Sequence, residues 1–218
     1  MCLALYLWLG AALASTPPGS LDASAAALVG RGAGLALLLT DSYSLQVLGL
    51  VGLALALVAW RAPAWRSRVL FSILLTLCAW RLSDLGKAFF QRARPEHWVL
   101  QRETSFSYAS GHAMYAVIVS WLWAVFVWNS ELPRTVRAIV TPLLIAWGAG
   151  AIWSRLALGA HYPSDLLGGL LFGAGLLTLG AALWPAPLFE RPDESPTGAR
   201  GGLENQRKEG FGLKQFRQ

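Results

Sequence analysis

Charge is scarce in this chain. Only 14% of its 218 residues are charged, against roughly 25% in an average soluble domain, and 55% are hydrophobic. So few charges cannot cover the apolar surface of a soluble fold this size. Disordered, collagenous and coiled-coil chains are excluded as well, because each needs a polar or strictly periodic composition. Cysteine is nearly absent. Cys2 and Cys78 cannot build a disulfide framework, and their apolar neighbours predict two buried small hydrophobes. The net charge of +6 could suit nucleic acid, but the basic residues stand at the edges of apolar segments. That placement points to a lipid bilayer and away from nucleic acid. The fold class expected is an all-α, polytopic membrane helix bundle.

What the chain has in abundance is charge-free runs. An ionised side chain at mid-bilayer costs about 2.5–3.5 kcal/mol, so such runs mark spans. They occupy residues 1–14, 42–60, 69–80 (extendable to about 85), 113–128, 138–153 and 166–184. Most fall a little short of the roughly 20 residues needed to cross about 30 Å of hydrocarbon, so each is extended by a few boundary residues. About six transmembrane helices result. Trp60, Trp128, Trp153 and Trp184 stand at run ends, where indole prefers the interface. The first run lacks the Lys or Arg of a signal n-region and reads as a short retained helix, although Ala12-Leu13-Ala14 could serve as a cleavage site. Residues 22–41, with Arg31, Gly30, Gly32 and Gly34, read as an interfacial or re-entrant helix. Residues 1–189 are thus one membrane-embedded domain. The polyampholytic, Gly/Pro-rich stretch 190–218 reads as a disordered tail.

Orientation follows from the basic residues of the short loops. Arg61, Arg66 and Arg68 follow one run, Arg134 and Arg137 follow another, and the tail carries six more. With six crossings all three segments share a side, which is then cytoplasmic. The opposite side receives residues 87–111 and 154–164, which are also basic. Those charges need another reason.

Three short clusters supply it. The first is Lys87 followed seven residues later by Arg94-Pro95. The second is Ser110-Gly111-His112, opening an apolar helix. The third is Ser154-Arg155, then His161, then Asp165. Arg-x5-His-x3-Asp arises about 0.005 times per shuffled chain of this composition, so chance is a poor explanation.

These clusters resemble the three signature motifs of the type 2 phosphatidic acid phosphatase family: Lys-x6-Arg-Pro, Pro-Ser-Gly-His and Ser-Arg-x5-His-x3-Asp. The resemblance covers roughly residues 61–184. Ala109 stands where the family usually has proline, which implies retained activity with altered loop rigidity. The resemblance implies a membrane lipid phosphatase of the bacterial inner membrane, its site facing the periplasm. Family substrates include undecaprenyl pyrophosphate, phosphatidylglycerol phosphate, phosphatidate and lipid A phosphates.

The residue chemistry fits that implication. Phosphoryl transfer is mostly positioning and neutralisation of charge on three equatorial oxygens. Lys87, Arg94 and Arg155 supply three cations, and the planar arginine fork suits a phosphate. A lone basic residue at a membrane edge is usually a snorkelling or loop cation, and Arg31, Arg81, Arg92 and Arg102 keep that reading. Arg81 has Asp84 at i, i+3 as a partner, and Arg92 also matches a frequent basic position of the family's first motif. His161, neutral at pH 7 in an ordinary setting, is the candidate nucleophile. Pro163 suits the first turn of a helix, which brings Asp165 back under the ring to orient it. Asp165 also suits a helix N-terminus on dipole grounds alone. His112 is the candidate acid and base, while Ser110 and Gly111 offer donors at a helix start. His97 has no motif support and reads as a loop residue.

The mechanism implied by the resemblance has two steps, through a phosphohistidine. No metal and no cofactor are expected: the cations replace a metal, and Glu96, Glu103 and Asp165 have no divalent-site spacing. The expected partners are a membrane lipid phosphate and the bilayer. Rival readings are a lipid phosphotransferase on the same scaffold and a non-catalytic transporter or scaffold, since intramembrane charges serve transport too. Vanadate-dependent haloperoxidases share the motif geometry, but they are soluble. Neither the particular lipid nor the oligomeric state is legible.

Overall fold

The computed structural model describes residues 1–96, 103–185 and 188–189. The readings of His97 and Arg102 as loop residues and of 190–218 as a tail lie outside the described residues. Within them, all regular structure is helical. The order is α1 (Cys2–Ala14), α2 (Ser20–Ser24) running into a 3-10 turn (Ala25–Leu28), α3 (Ala33–Asp41), α4 (Leu45–Arg61) and α5 (Arg66–Phe90). Then come α6 (Gly111–Tyr115), a π-helical stretch (Ala116–Trp121) and α7 (Leu122–Trp128), which together make one rod, followed by α8 (Arg134–Ala157) and α9 (Pro163–Leu183).

Among the described residues four helices are long and apolar enough to cross a membrane: Pro63–Phe90, Gly111–Trp128, Arg134–Ala157 and Pro163–Leu183. A fifth is reached only if Ser20–Leu28 and Ala33–Asp41, which meet at 109°, count as one broken span. The described residues thus confirm four to five of the about six transmembrane helices that the charge-free runs predict. α1 and α4 are apolar but shorter, at 13 and 17 residues. At 1.5 Å per residue α1 covers only about 20 Å. The apolar run thus sets where a helix lies, and its caps set how much of the bilayer it covers.

The bundle is apolar outside and polar at one end inside. Leu50, Leu53, Leu57, Leu143 and Leu183 are each more than half exposed, as lipid-facing leucines are. The expected burial of the cysteines fails for the same reason: Cys78 is exposed and Cys2 only half-buried, both free thiols. An apolar run in a bilayer need not face the protein core. Arg81 likewise lies over the Trp80 ring at 4.4 Å, and no ion pair with Asp84 is present among the described residues.

Close approach of α6 and α9 is a glycine matter. A Cβ on Gly169 would stand 2.4 Å from the Ser110 carbonyl, and one on Gly173 would stand 2.9 Å from that of Met114. This Gly-x3-Gly stripe lets the start of α6 sit directly on α9, the small-residue packing that membrane helices use. Chain direction does the rest. α5 and α8 finish at the end where α6 and α9 begin, so Lys87, Ser110, Gly111, His112, Arg155, His161 and Asp165 converge there. The bent α2–α3 segment packs over the same end: Asp22 bonds to Ser164, and Thr40 to Ser154.

Candidate functional site

Gln91 ends α5 in the left-handed region (φ 49°), its N–H donating to the Lys87 carbonyl at 3.0 Å. That sharp turn folds the following Arg92 and Arg94 back over the bundle end. Arg94 donates from Nε to the Ser105 carbonyl (2.6 Å) and from Nη1 to the Ala160 carbonyl (2.9 Å). The same Nη1 stands 3.2 Å from His161 Nε2. A guanidinium cannot accept a hydrogen bond, so Nε2 presents its lone pair and the ring proton sits on Nδ1. Nδ1 in turn faces Asp165 Oδ2 at 3.5 Å and Ser107 Oγ at 3.4 Å. Burial first, then the charges of Arg94 and Arg155, hold the His161 imidazolium well below its ordinary range. The ring is therefore neutral at pH 7, with the Nε2 lone pair facing Arg94.

Asp165 is fully buried and heavily engaged. Its Oδ1 accepts from Arg92 Nη1 at 2.5 Å, and its Oδ2 from Ser107 Oγ (2.5 Å) and the Tyr162 N–H (2.9 Å). It is thus both the helix N-terminal acceptor and the partner of the His161 ring, the two roles the spacing allows. The Asp165 carbonyl also accepts from the Ser110 N–H at 3.1 Å, which joins the second cluster to the third.

Ser110 is the residue before α6 and Gly111 its first residue. Ser110 Oγ is buried without a hydrogen-bond partner. His112 Nε2 donates to the Thr40 carbonyl at 3.2 Å; a carbonyl only accepts, so this nitrogen carries a proton. Arg155, at the last turn of α8, donates from Nη1 to Thr40 Oγ1 at 3.3 Å, and its Nε is buried and unpartnered. Lys87, in the last turn of α5, feels the charges of Arg94, Glu103 and Arg155. The structure therefore brings together every residue the motifs single out.

It also adds residues that the motifs do not include. Glu103 lies between the two arginines, one carboxylate oxygen on Arg94 Nη2 (2.6 Å) and the other on Arg155 Nη2. Its side chain is 36% exposed, whereas those of the arginines are 6% and 3%. Burial raises its pKa, but Arg155 and Arg94 outweigh that and bring it down to about 2. Ser107, Thr40, Ser164 and Asp22 complete the polar shell. Nothing in the local sequence marks them, since each gains its role from a partner far along the chain. Arg92 corrects the reading of a snorkelling or loop cation. It is 5% exposed, stacked over the Tyr162 ring at 4.6 Å, and bonded to Asp22, Ser164 and Asp165. Its partners are carboxylates held in place by folding, which a linear motif cannot display. Among the described residues, no group of three or more His, Cys, Asp or Glu is placed to hold a metal ion.

Comparison with known proteins bears on this arrangement. Phosphatidylglycerophosphatase B of Escherichia coli (strain K12) is 37% identical over 90 residues, 41% of this chain and 32% of that protein. Phosphatidylglycerophosphatase B of Bacillus subtilis (strain 168) is 35% identical over 101 residues, 44% of this chain and 47% of its own length. Lipid A 1-phosphatase of Rhizobium etli is 32% identical over 138 residues, 58% of this chain and 52% of that protein. The match thus spans between a third and about half of these relatives. The crystal structure of a transmembrane PAP2-type phosphatidylglycerolphosphate phosphatase from Bacillus subtilis superposes with a TM-score of 0.60. That match covers 83% of this chain and 92% of the other at 24% identity, and it shows a shared fold. A family model of the PAP2 superfamily matches residues 65–187, more than half of the chain and all three clusters. This chain belongs to the PAP2 superfamily.

Proposed function

We propose that this chain is an integral membrane phosphatase that hydrolyses a lipid phosphate or pyrophosphate through a phosphohistidine. The observation that carries the reading is the His161 ring. Its Nε2 lone pair faces Arg94 Nη1, and its Nδ1 proton is turned toward a fixed carboxylate.

In the first step His161 Nε2 attacks phosphorus and the bond from phosphorus to the lipid oxygen breaks. Lys87, Arg94 and Arg155, with Ser110 Oγ and the Gly111 backbone, hold the equatorial oxygens. The unpartnered Ser110 Oγ and Arg155 Nε are donors with capacity in hand for that purpose. His112 gives a proton to the departing oxygen. In the second step water attacks phosphorus and His112 takes its proton. The phosphorus–nitrogen bond breaks, releasing phosphate and neutral His161. Asp165 keeps the Nδ1 proton in place and balances the positive charge that develops on the ring.

The relatives named phosphatidylglycerophosphatase B and lipid A 1-phosphatase support a glycerolipid or lipid A phosphate as substrate; a polyprenyl diphosphate offers the same terminal group. The site lies at the end opposite Arg61, Arg66, Arg134 and Arg137, which supports an extracytoplasmic, periplasmic site in a bacterial inner membrane. Phosphate release by detergent-purified protein from a panel of lipid phosphates, in excess EDTA, tests the function. Release that His161→Ala abolishes in a folded protein is expected. Equal release from that variant overturns the mechanism.

A further inference from the structure

The family match begins at residue 65, and the first forty residues belong to no motif. One of them nevertheless reaches the candidate nucleophile's carboxylate through a single intermediate. We propose that Asp22 is a positioning residue for the reaction, acting through Arg92 on Asp165; the inference rests on the phosphatase reading above.

The geometry is a chain of buried charges. Asp22 Oδ2 accepts from Arg92 Nη2 at 2.7 Å, and Arg92 Nη1 donates to Asp165 Oδ1 at 2.5 Å. Side-chain exposures along it are 4% for Asp22, 5% for Arg92 and 0% for Asp165. Ser164 fastens the outer end: its N–H (3.1 Å) and its hydroxyl (2.7 Å) both reach Asp22 Oδ1. The same Ser164 hydroxyl accepts from Arg92 Nη1 at 2.8 Å.

Two consequences follow for His161. The first is orientational. Arg92, gripped on its far side by Asp22, pins Oδ1 of Asp165 and leaves Oδ2 for the ring, Ser107 and the Tyr162 N–H. The second is electrostatic. Arg92 alone would neutralise Asp165, and a neutral pair does little for a ring that turns cationic when it takes phosphorus. A second buried carboxylate restores one net negative charge to the chain, at a depth where water screens little. The other charged groups acting on His161 are Arg94, Arg155, Lys87 and Glu103, three cations against one carboxylate, so the balance depends on this side of the ring. Asp22 is thus placed to set how well Asp165 supports the phosphohistidine, without touching substrate.

The test uses Asp22→Asn in the full chain, which keeps shape and removes charge. Turnover of a lipid phosphate should fall about tenfold in kcat with KM within twofold. In an Asp165→Asn background the same change should cost nothing further, because the effect passes through that carboxylate. Because the chain has three histidines, ¹⁵N-histidine spectra assigned with His161→Ala supply a readout independent of turnover. The His161 titration should move to lower pH in Asp22→Asn. If Asp22→Asn fails to fold, Ser164→Ala, which loosens the same link, should lower kcat about threefold with KM unchanged. A folded Asp22→Asn with normal kcat and an unmoved His161 resonance overturns the proposal. So does an equal loss in the Asp165→Asn background, or a Ser164→Ala variant with normal kcat. Wild-type protein that releases no phosphate removes the functional reading instead, and the histidine spectra still decide this one.

Discussion

At His161 the decisive facts are a tautomer and a charge. The Arg94 donor forces the lone pair onto Nε2, and burial with Arg94 and Arg155 keeps the ring neutral. A base whose pKa is lowered keeps its lone pair to lower pH, and loses it only as pH falls through the lowered value. The acid limb of kcat/KM is therefore expected below pH 6.5; a limb at or above 6.5 in the pH–rate profile contradicts it. Asp165→Asn, which loses control of the ring proton, should cost about 10²–10⁴-fold in kcat. On the proposed reading a phosphate would be held between Arg94 and Arg155, where Glu103 puts one oxygen on each. With its pKa near 2 it is charged at any working pH, so a phosphate must displace it. Glu103→Gln should tighten orthovanadate inhibition and lower KM, each about tenfold, equivalent to about 1.4 kcal/mol. Unchanged inhibition constants would mean that the carboxylate does not compete. Motif spacing made the His–His–Asp set and the three cations legible. Glu103 was not, because its meaning is its position between two arginines from different segments.

At the scale of elements, local rules located the helices and tertiary contacts set their ends. The 69–80 run becomes the 25-residue Arg66–Phe90, since Lys87 and the aromatic pair Phe89 and Phe90 continue the helix until Gln91 turns it. Gln91 adopts φ 49°, a conformation that favours glycine. Gln91→Gly should therefore stabilise the protein by about 0.5–1 kcal/mol, read as a small rise in the detergent unfolding midpoint. A fall would show that the Gln91 side chain carries more than the backbone cost. The Gly169–Gly173 stripe makes the opposite case. Gly169→Val places carbon against the Ser110 carbonyl and should push α6 off α9, removing activity even if the bundle assembles. Full turnover by that variant contradicts the close approach.

For the whole molecule, what matters is which way the bundle stands in its membrane. Arg66 caps the α4 end, donating to the Ala59 and Trp60 carbonyls, and Arg137 does the same to that of Trp128. Both lie at the end away from the candidate site, which the proposed orientation puts in the cytoplasm. Single cysteines at the exposed Glu96 and Arg134, in a background without Cys2 and Cys78, report the orientation to an impermeant maleimide. Labelling of the Glu96 position alone in intact cells is expected. Labelling of the Arg134 position alone reverses the membrane side, and with it the leaflet from which the lipid comes.

Sequence by itself determined the class of environment, the approximate helix positions and the motif residues. Composition and charge-free runs answer to the bilayer, a solvent that acts on each segment separately. Motif spacing is likewise local, so His161 and Asp165 could be paired from four residues of chain. Only the tertiary structure decided that α1 and α4 are shorter than full spans and that the 22–41 segment folds over the site. The same holds for Glu103 between the arginines and for Arg92 between Asp22 and Asp165. Each of these depends on contacts across many residues of chain, and a buried charge is legible only once its partner has been brought beside it.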